Sequence, residues 1–422
     1  MSASSSFDQF TYRDGQLHVE DVPLDRIAEE FGTPCFVYSR QALSSALAGF
    51  DAPFGSRSHL ICYAAKANSN LAILQLFARS GSGFDIVSGG ELERVLRAGA
   101  DPQCVVFSGV GKSADEIKRA LAAGILCFNV ESHGELLRLS QLAQETGRIA
   151  PISLRVNPDV DPKTHPYIST GLKNNKFGVP FEAAIGLYRE ASRLPRLRIV
   201  GIDCHIGSQI TEIPPFVDAV RRVLRLVDDL RAAHIELEHF DLGGGLGIRY
   251  RDETPPPVSA YVRALLEELR GRPQRILLEP GRALVGNAGV LLTRVEYLKD
   301  GTERNFAIVD AAMNDLLRPA LYEAWHDILP VQQAGSSPMR RYDIVGPVCE
   351  SADFLGHERD LSLRRGDLLA VMSAGAYGMA MSSNYNTRPR AAEVLVDAKR
   401  TDLIRVRETI DELLAAERLL DR

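Results

Sequence analysis

From His59 to about Pro280 the chain repeats one unit, a short apolar run followed by an amphipathic helical pattern. The apolar runs lie at about 59–65, 84–87, 105–108, 127–130, 152–157, 199–206, 239–244 and 275–280. Between them fall helical patterns such as Gly89 to Ala98, Ser113 to Ala123, Ser132 to Thr146, Phe181 to Arg193, Pro215 to Ala233 and Val258 to Arg270. Eight strands, each coupled to a helix, predict an α/β fold of the (β/α)8 TIM-like barrel type. An open, doubly wound sheet is the alternative that the same pattern allows.

The flanks do not share this rhythm. Residues before about Pro34 predict a tail, a short strand at Leu17 to Val19, and a helix at Leu24 to Phe31 closed by Gly32. A strand at Cys35 to Tyr38 and a helix at Arg40 to Phe50 follow. Past Arg282, strand-like runs at Gly289 to Leu298, Asn305 to Val309, Met339 to Val345 and Leu368 to Met372 arrive without long helices between them. Turns are expected at Asp300-Gly301 and Arg365-Gly366-Asp367, a surface loop at Ala334 to Pro338, and a charged helix at Thr401 to Leu420. The expectation is a barrel over 35–285 and a mostly β second domain built from 1–34 and 286–422. A length of 422 residues suits two domains, because a single core stops growing below that size.

Composition excludes several functions. Forty-nine basic side chains stand against 55 acidic ones with no basic stripe, which argues against nucleic acid as a partner. No apolar run approaches the roughly 20 residues needed to cross a bilayer, and Met1 to Ser6 lacks the features of a secretion signal, so a cytoplasmic protein with no membrane partner is expected. The six cysteines, Cys35, Cys62, Cys104, Cys127, Cys204 and Cys349, show no paired spacing for disulfide or zinc and read as reduced thiols.

In a barrel, reactive groups sit at the carboxyl ends of the strands. Lys66, in Tyr63-Ala64-Ala65-Lys66-Ala67-Asn68, emerges where the first strand stops, between small residues. Asp241-Leu242-Gly243-Gly244-Gly245-Leu246-Gly247 follows the seventh strand, and its consecutive glycines can bring backbone N–H groups close to a phosphate. A dinucleotide reading fails, since the position needing a third glycine is Ile248. After the eighth strand comes Glu279-Pro280-Gly281-Arg282, which offers a carboxylate for a pyridine nitrogen and a guanidinium for a phosphate or carboxylate. The sixth strand ends in Asp203-Cys204-His205-Ile206-Gly207-Ser208-Gln209, where an imidazole can stack on an aromatic cofactor and Gly-Ser can donate to its phosphate. No second ligand stands at metal spacing from His205, so no metal is expected there. Together these residues suggest a lysine that holds pyridoxal 5'-phosphate as a Schiff base.

These segments, with Gly346-Pro347-Val348-Cys349-Glu350-Ser351-Ala352-Asp353, resemble the alanine-racemase-like barrel class of pyridoxal-phosphate enzymes. Within that class the chain is similar to the branch that decarboxylates diaminopimelate, from about Gly32 to Arg390. The resemblance implies Lys66 as the Schiff-base lysine, His205 on one ring face, Glu279 at the ring nitrogen, and Asp85, Ser208, Gly243, Gly244, Gly245, Gly281 and Arg282 in cofactor binding. It implies Cys349 as the proton donor and Tyr377, in Gly375-Ala376-Tyr377-Gly378, as a residue touching cofactor and substrate. Cys349 and Glu350 would be supplied across the two-fold axis of a homodimer. One departure is Ala312, in Asp310-Ala311-Ala312-Met313, where glycine is expected.

A substrate with a second carboxylate at its far end needs a cation there, and Arg318 can clamp it bidentately with Tyr322 adding a further bond. Glu350 would answer the distal ammonium, and Arg282 is the other arginine available to substrate. The resulting expectation is decarboxylation of meso-2,6-diaminopimelate at its D-centre to L-lysine and CO2, a small-molecule amino-acid reaction closing lysine biosynthesis. A decarboxylase of ornithine, lysine or arginine, or a racemase, on the same fold is one alternative. A catalytically inactive, decarboxylase-like regulatory protein is another, which the presence of both Lys66 and Cys349 disfavours.

Overall fold

A computed structural model describes residues 9–160, 176–333 and 338–420. The expected tail at 1–6, the loop expected at 334–338 save Pro338, and residues 172–175 lie outside the described residues.

One compact unit comprises 44–248 and 254–284. Its eight strands are β1 (His59–Ala64), β2 (Gly83–Ile86), β3 (Val105–Phe107), β4 (Cys127–Val130), β5 (Ala150–Asn157), β6 (Leu197–Asp203), β7 (His239–Asp241) and β8 (Arg275–Leu278). All pair parallel in chain order, and β8 returns to β1 through Ile276 opposite His59, so the sheet closes into a barrel. The runs read as strands in the sequence are the strands of the barrel, within a few residues at each end. They are apolar because each is covered on both faces, by helices outside and by the barrel core inside. Leu60, Cys62, Val106, Cys127, Val200 and Leu277 form a packed cluster in that core. Helix starts are fixed by side-chain caps: Asn70, Ser88, Ser113 and Ser132 each accept a hydrogen bond from a first-turn amide. A short strand, Val179–Pro180, adds to β5 outside the closed ring.

The second unit comprises 1–43, 249–253 and 285–422. Its main sheet runs in the order Phe354–Leu361, Arg340–Val345, Asn305–Val309, Gly289–Lys299, Cys35–Ser39, Ala392–Asp397 and Arg400–Arg405. Leu368–Val371 pairs with Gly289–Lys299 and with Ile328–Pro330. The strand beginning at Cys35, grouped with the barrel in the sequence reading, thus belongs to the second sheet. It is buried along its whole length between an antiparallel and a parallel neighbour. A meander of Phe10–Arg13, Gln16–Val19 and Val22–Pro23 packs with the helix Leu24–Phe31 on the core of this unit.

The helix expected over Thr401 to Leu420 is a correction. Arg400–Arg405 is a strand, antiparallel to Ala392–Asp397, and only Ile410–Leu414 is helical, opened by a capping box from Thr409 and Glu412. Ladder pairing with a buried neighbour overrides the helical preference of a charged segment. Ala312, where glycine was expected, is not among the residues at positive φ, so alanine fits without strain.

Candidate active site

The barrel unit gathers its polar residues at the carboxyl ends of its strands. Lys66 sits in a single 3-10 turn, Ala65–Ala67, directly after β1. Its Nζ lies 2.8 Å from Asp85 Oδ2 of β2. Asp85 is fully buried, and its other oxygen has no hydrogen-bond partner among the described residues. The turn is packed from below by Gly281, where a Cβ would meet the β-carbons of Ala64 and Ala67 at 3.2 Å. Tyr63 helps hold it by donating to the Asn68 carbonyl at 2.8 Å.

The glycine loop after β7 is held by close backbone approach. A Cβ on Gly243 would stand 2.7 Å from both the Cys204 carbonyl oxygen and His205 Nδ1, one on Gly244 would stand 2.1 Å from the Glu279 carbonyl oxygen, and one on Gly245 would stand 2.3 Å from the Gly207 carbonyl oxygen. Gly243 and Gly245 also have φ of +65° and +109°, a region that glycine enters without cost. The loop is tied to the one after β6: Ile210 N–H donates to the Gly245 carbonyl, and Gln209 bonds Ile248 through both ends of its amide. Gly244 N–H donates to His205 Nδ1 at 3.1 Å, which orients the ring. Burial, then the Arg155 and Lys66 charges, hold the His205 pKa well below its usual value, so the imidazole is neutral. Arg282, 6% exposed, donates to Ser208 Oγ at 3.1 Å and so joins the loop after β6 to the turn after β8.

Behind these groups lies an acidic cluster absent from the sequence reading. Asp203 ends β6, Asp241 ends β7 and Glu279 follows β8, and one oxygen of each lies within 4.8 Å of the others. Asn129 of β4 donates toward Asp241 and Glu279, at 3.5 Å each, and Asp241 Oδ1 accepts from Gly243 N–H at 3.0 Å. Burial, reinforced by the neighbouring carboxylates, pushes Asp203 and Glu279 well above the usual carboxylate range and Asp241 up to about 6. The cations facing the cluster are Arg155, 3.9 Å from Asp203 and 3.0 Å from Glu131, and Lys66, whose charge draws Glu279 back down. A polar residue within or at the end of an otherwise apolar strand was the signal that could have singled out Asn129, Asp203 and Asp241.

The residues of this unit fit pyridoxal phosphate. Four buried carboxylates, Asp85, Asp203, Asp241 and Glu279, leave a shortage of positive charge that a protonated ring nitrogen would relieve. The glycine loop lets backbone approach closely with no Cβ in the way, and Lys66 supplies an amine at the end of β1.

The remaining expected residues belong to the second unit. Arg318 opens a one-turn helix, Arg318–Tyr322, and is buried, while Tyr322 is half-buried. Cys349 and Glu350 are exposed: Cys349 N–H donates to Asn386 Oδ1 at 2.9 Å, and Glu350 accepts from the Tyr385 hydroxyl at 2.6 Å. Tyr377 has φ of +57°, an uncommon conformation for a tyrosine that marks a constrained turn.

Comparison with known proteins places the chain. Residues 40–286 match the family model described as pyridoxal-dependent decarboxylase, pyridoxal binding domain, and the chain belongs to that family of barrel decarboxylases. The diaminopimelate decarboxylase of Pseudomonas aeruginosa is 59% identical over 413 residues, covering 98% of this chain and 99% of the relative. The crystal structure of diaminopimelate decarboxylase from Helicobacter pylori complexed with L-lysine aligns with a TM-score of 0.90 at 42% identity, covering 93% of this chain and 98% of that one. That of M. jannaschii in co-complex with L-lysine aligns with a TM-score of 0.94 at 38% identity, covering 99% of each. Within the barrel decarboxylases, this chain is a member of the diaminopimelate decarboxylase family.

Proposed function

We infer that the protein is a pyridoxal-phosphate-dependent carboxy-lyase that removes CO2 from the D-centre of meso-2,6-diaminopimelate and releases L-lysine. The observation that carries this reading is Lys66 at the end of β1, paired with Asp85, among the glycine loop and Glu279 on neighbouring strand ends, in a chain of this family. When bound, pyridoxal phosphate supplies an aldehyde for an amine and a protonated ring that accepts the electron pair left by departing CO2.

The chain's own residues divide the remaining work. Lys66 would hold the cofactor through its Nζ, and Asp85, 2.8 Å away, would orient that Nζ. The close-packed loop Gly243 to Gly245, with Ser208 and Arg282, would hold the phosphate. Neutral His205 would pack against the cofactor ring without adding a second positive charge. Glu279, backed by Asp241 and Asp203, keeps a proton at the ring nitrogen. Arg318 and Tyr322 receive the carboxylate at the substrate's L-centre, Glu350 the ammonium beside it, and Tyr377 contacts substrate and cofactor. Cys349 Sγ returns a proton to the carbon that lost CO2.

Exposure of Cys349 and Glu350 supports their use across a two-fold interface, making a homodimer the active unit. A proton-donating thiol must stay reduced, which suits the cytoplasm. Among the described residues no helix is long and apolar enough to cross a membrane.

Release of CO2 from meso-diaminopimelate, D-lysine, L-ornithine and L-arginine tests the reading. Activity is expected on diaminopimelate, with Arg318→Ala removing it. Comparable release from ornithine or arginine would move the assignment to the basic-amino-acid decarboxylases.

A further inference from the structure

Arg318 does not stand alone in the second unit. Its Nη1 donates to His326 Nε2 at 2.8 Å, and its guanidinium carbon lies 4.4 Å from the centre of the Tyr250 ring. That ring meets the His326 imidazole edge-on at 5.2 Å. His326 is completely buried, and its Nδ1 lies 2.7 Å from the Met372 carbonyl oxygen. A carbonyl only accepts and a guanidinium only donates. Nδ1 therefore carries the hydrogen, Nε2 presents its lone pair, and the two partners together fix a neutral ring in one tautomer. Arg359 adds a third restraint by donating from Nη2 to the His326 carbonyl oxygen at 2.8 Å.

A guanidinium is a planar fork, and its grip on a carboxylate depends on the angle of that plane. With one N–H committed to His326 and the Tyr250 ring beneath it, the Arg318 plane is set before any ligand arrives, so little ordering remains to oppose binding. We propose that His326 is the positioning residue of the Arg318 fork and thereby sets the preference for ligands that carry a carboxylate at their far end over diamines that lack one. The proposal rests on the role given to Arg318 above and adds the residue that enforces it. His326 touches no substrate atom in this scheme and acts through Arg318.

L-lysine and 1,5-diaminopentane differ by that carboxylate alone, which makes them the probes. Their affinities for the holoenzyme are read from changes in the visible absorbance of the bound cofactor, for the wild type, Arg318→Ala, His326→Leu and His326→Gln. A hydrogen bond involving a charged group contributes enough that removing the acceptor is expected to weaken L-lysine by about tenfold or more. Diaminopentane is expected to change by less than about twofold on the same reasoning. His326→Gln keeps an oxygen near the Nε2 position and is expected to recover most of the lysine affinity. Equal weakening of both ligands in His326→Leu, or no weakening while Arg318→Ala loses lysine selectively, overturns the proposal. Equal weakening of both ligands in Arg318→Ala overturns the underlying reading instead. Should His326→Leu fail to fold, His326→Gln against His326→Asn decides. Asn reaches only the Nδ1 position, so Gln is expected to keep the lysine preference and Asn to lose it, and equal or reversed behaviour overturns the assignment.

Discussion

Gly244→Ala is the substitution whose consequence can be worked most directly from the geometry. A Cβ there would lie 2.1 Å from the Glu279 carbonyl oxygen, 2.8 Å from its carbon and 3.3 Å from the Pro280 nitrogen. Carbon and oxygen settle at about 3.3 Å, so the backbone at Glu279 must retreat by roughly 1 Å. That segment cannot move freely. Glu279 N–H donates to the Gly243 carbonyl at 2.7 Å, and Ala64 N–H donates to the Pro280 carbonyl at 3.1 Å, which ties the segment after β8 to the end of β1, just before Lys66. Overpacking of this kind costs about 1–3 kcal/mol. Each tie lost adds on the order of 1 kcal/mol. A displacement of about 1 Å at a positioned group can also cost around a hundredfold in function. Titration of the apoenzyme with pyridoxal phosphate, followed by visible absorbance, is expected to show cofactor affinity falling by roughly that factor, with a lower melting temperature. Gly186→Ala is the control: it lies within the helix Phe181–Ala191, and its Cβ would meet nothing within 4 Å. It is expected to stabilise by about 0.5–1 kcal/mol and to leave cofactor binding unchanged. A Gly244→Ala protein that melts and binds cofactor like the wild type would refute the argument that backbone contact between these two strand ends builds the site.

Three further outcomes follow from the same structure. Cys349→Ala is expected to lower kcat by about a hundredfold or more while the protein keeps its bound cofactor and a KM within a few-fold, as checked by steady-state kinetics. Glu279→Ala is expected to leave the colour of the bound cofactor but to lower kcat far more than KM, because the ring nitrogen loses its proton partner; an unchanged kcat would count against that role. Glu408 is held down to about 2 from its ordinary 4.5 by hydrogen bonds from Arg390 N–H, Asn384 and the Arg390 guanidinium, which outweigh its burial. A depressed carboxylate contributes stability that is fully present above pH 4.5 and is lost as pH falls toward 2. Glu408→Gln is therefore expected to flatten the acid limb of stability against pH in that window, measured by denaturant melts.

The barrel was legible because its strands are covered on both faces and so read as unbroken apolar runs, and because amphipathic helical patterns fall between them. Lys66, the glycine loop and Glu279 were legible because each stands at a strand end, where side chains and amides face a common centre. Asp203 and Asp241 were on the page as letters, but their meeting with Glu279 depends on β6, β7 and β8 closing side by side. His326 was hidden for a different reason: its value lies in two hydrogen bonds, to Arg318 and to Met372, made by residues on separate segments of the second unit. The strands Phe354–Leu361 and Ala392–Asp397 were missed, and Thr401 to Leu420 was read as a helix. Their mixed polar and apolar letters acquire strand character only through pairing with buried neighbours.

The identity of the amine that holds the cofactor decides where the reaction takes place. Reducing the holoenzyme with borohydride, then mapping the pyridoxyl adduct by tandem mass spectrometry, locates it. The adduct is predicted on the peptide that carries Lys66. An adduct on Lys112, the buried lysine paired with Glu135 at 2.7 Å, or on no lysine at all, would contradict the site as assembled here.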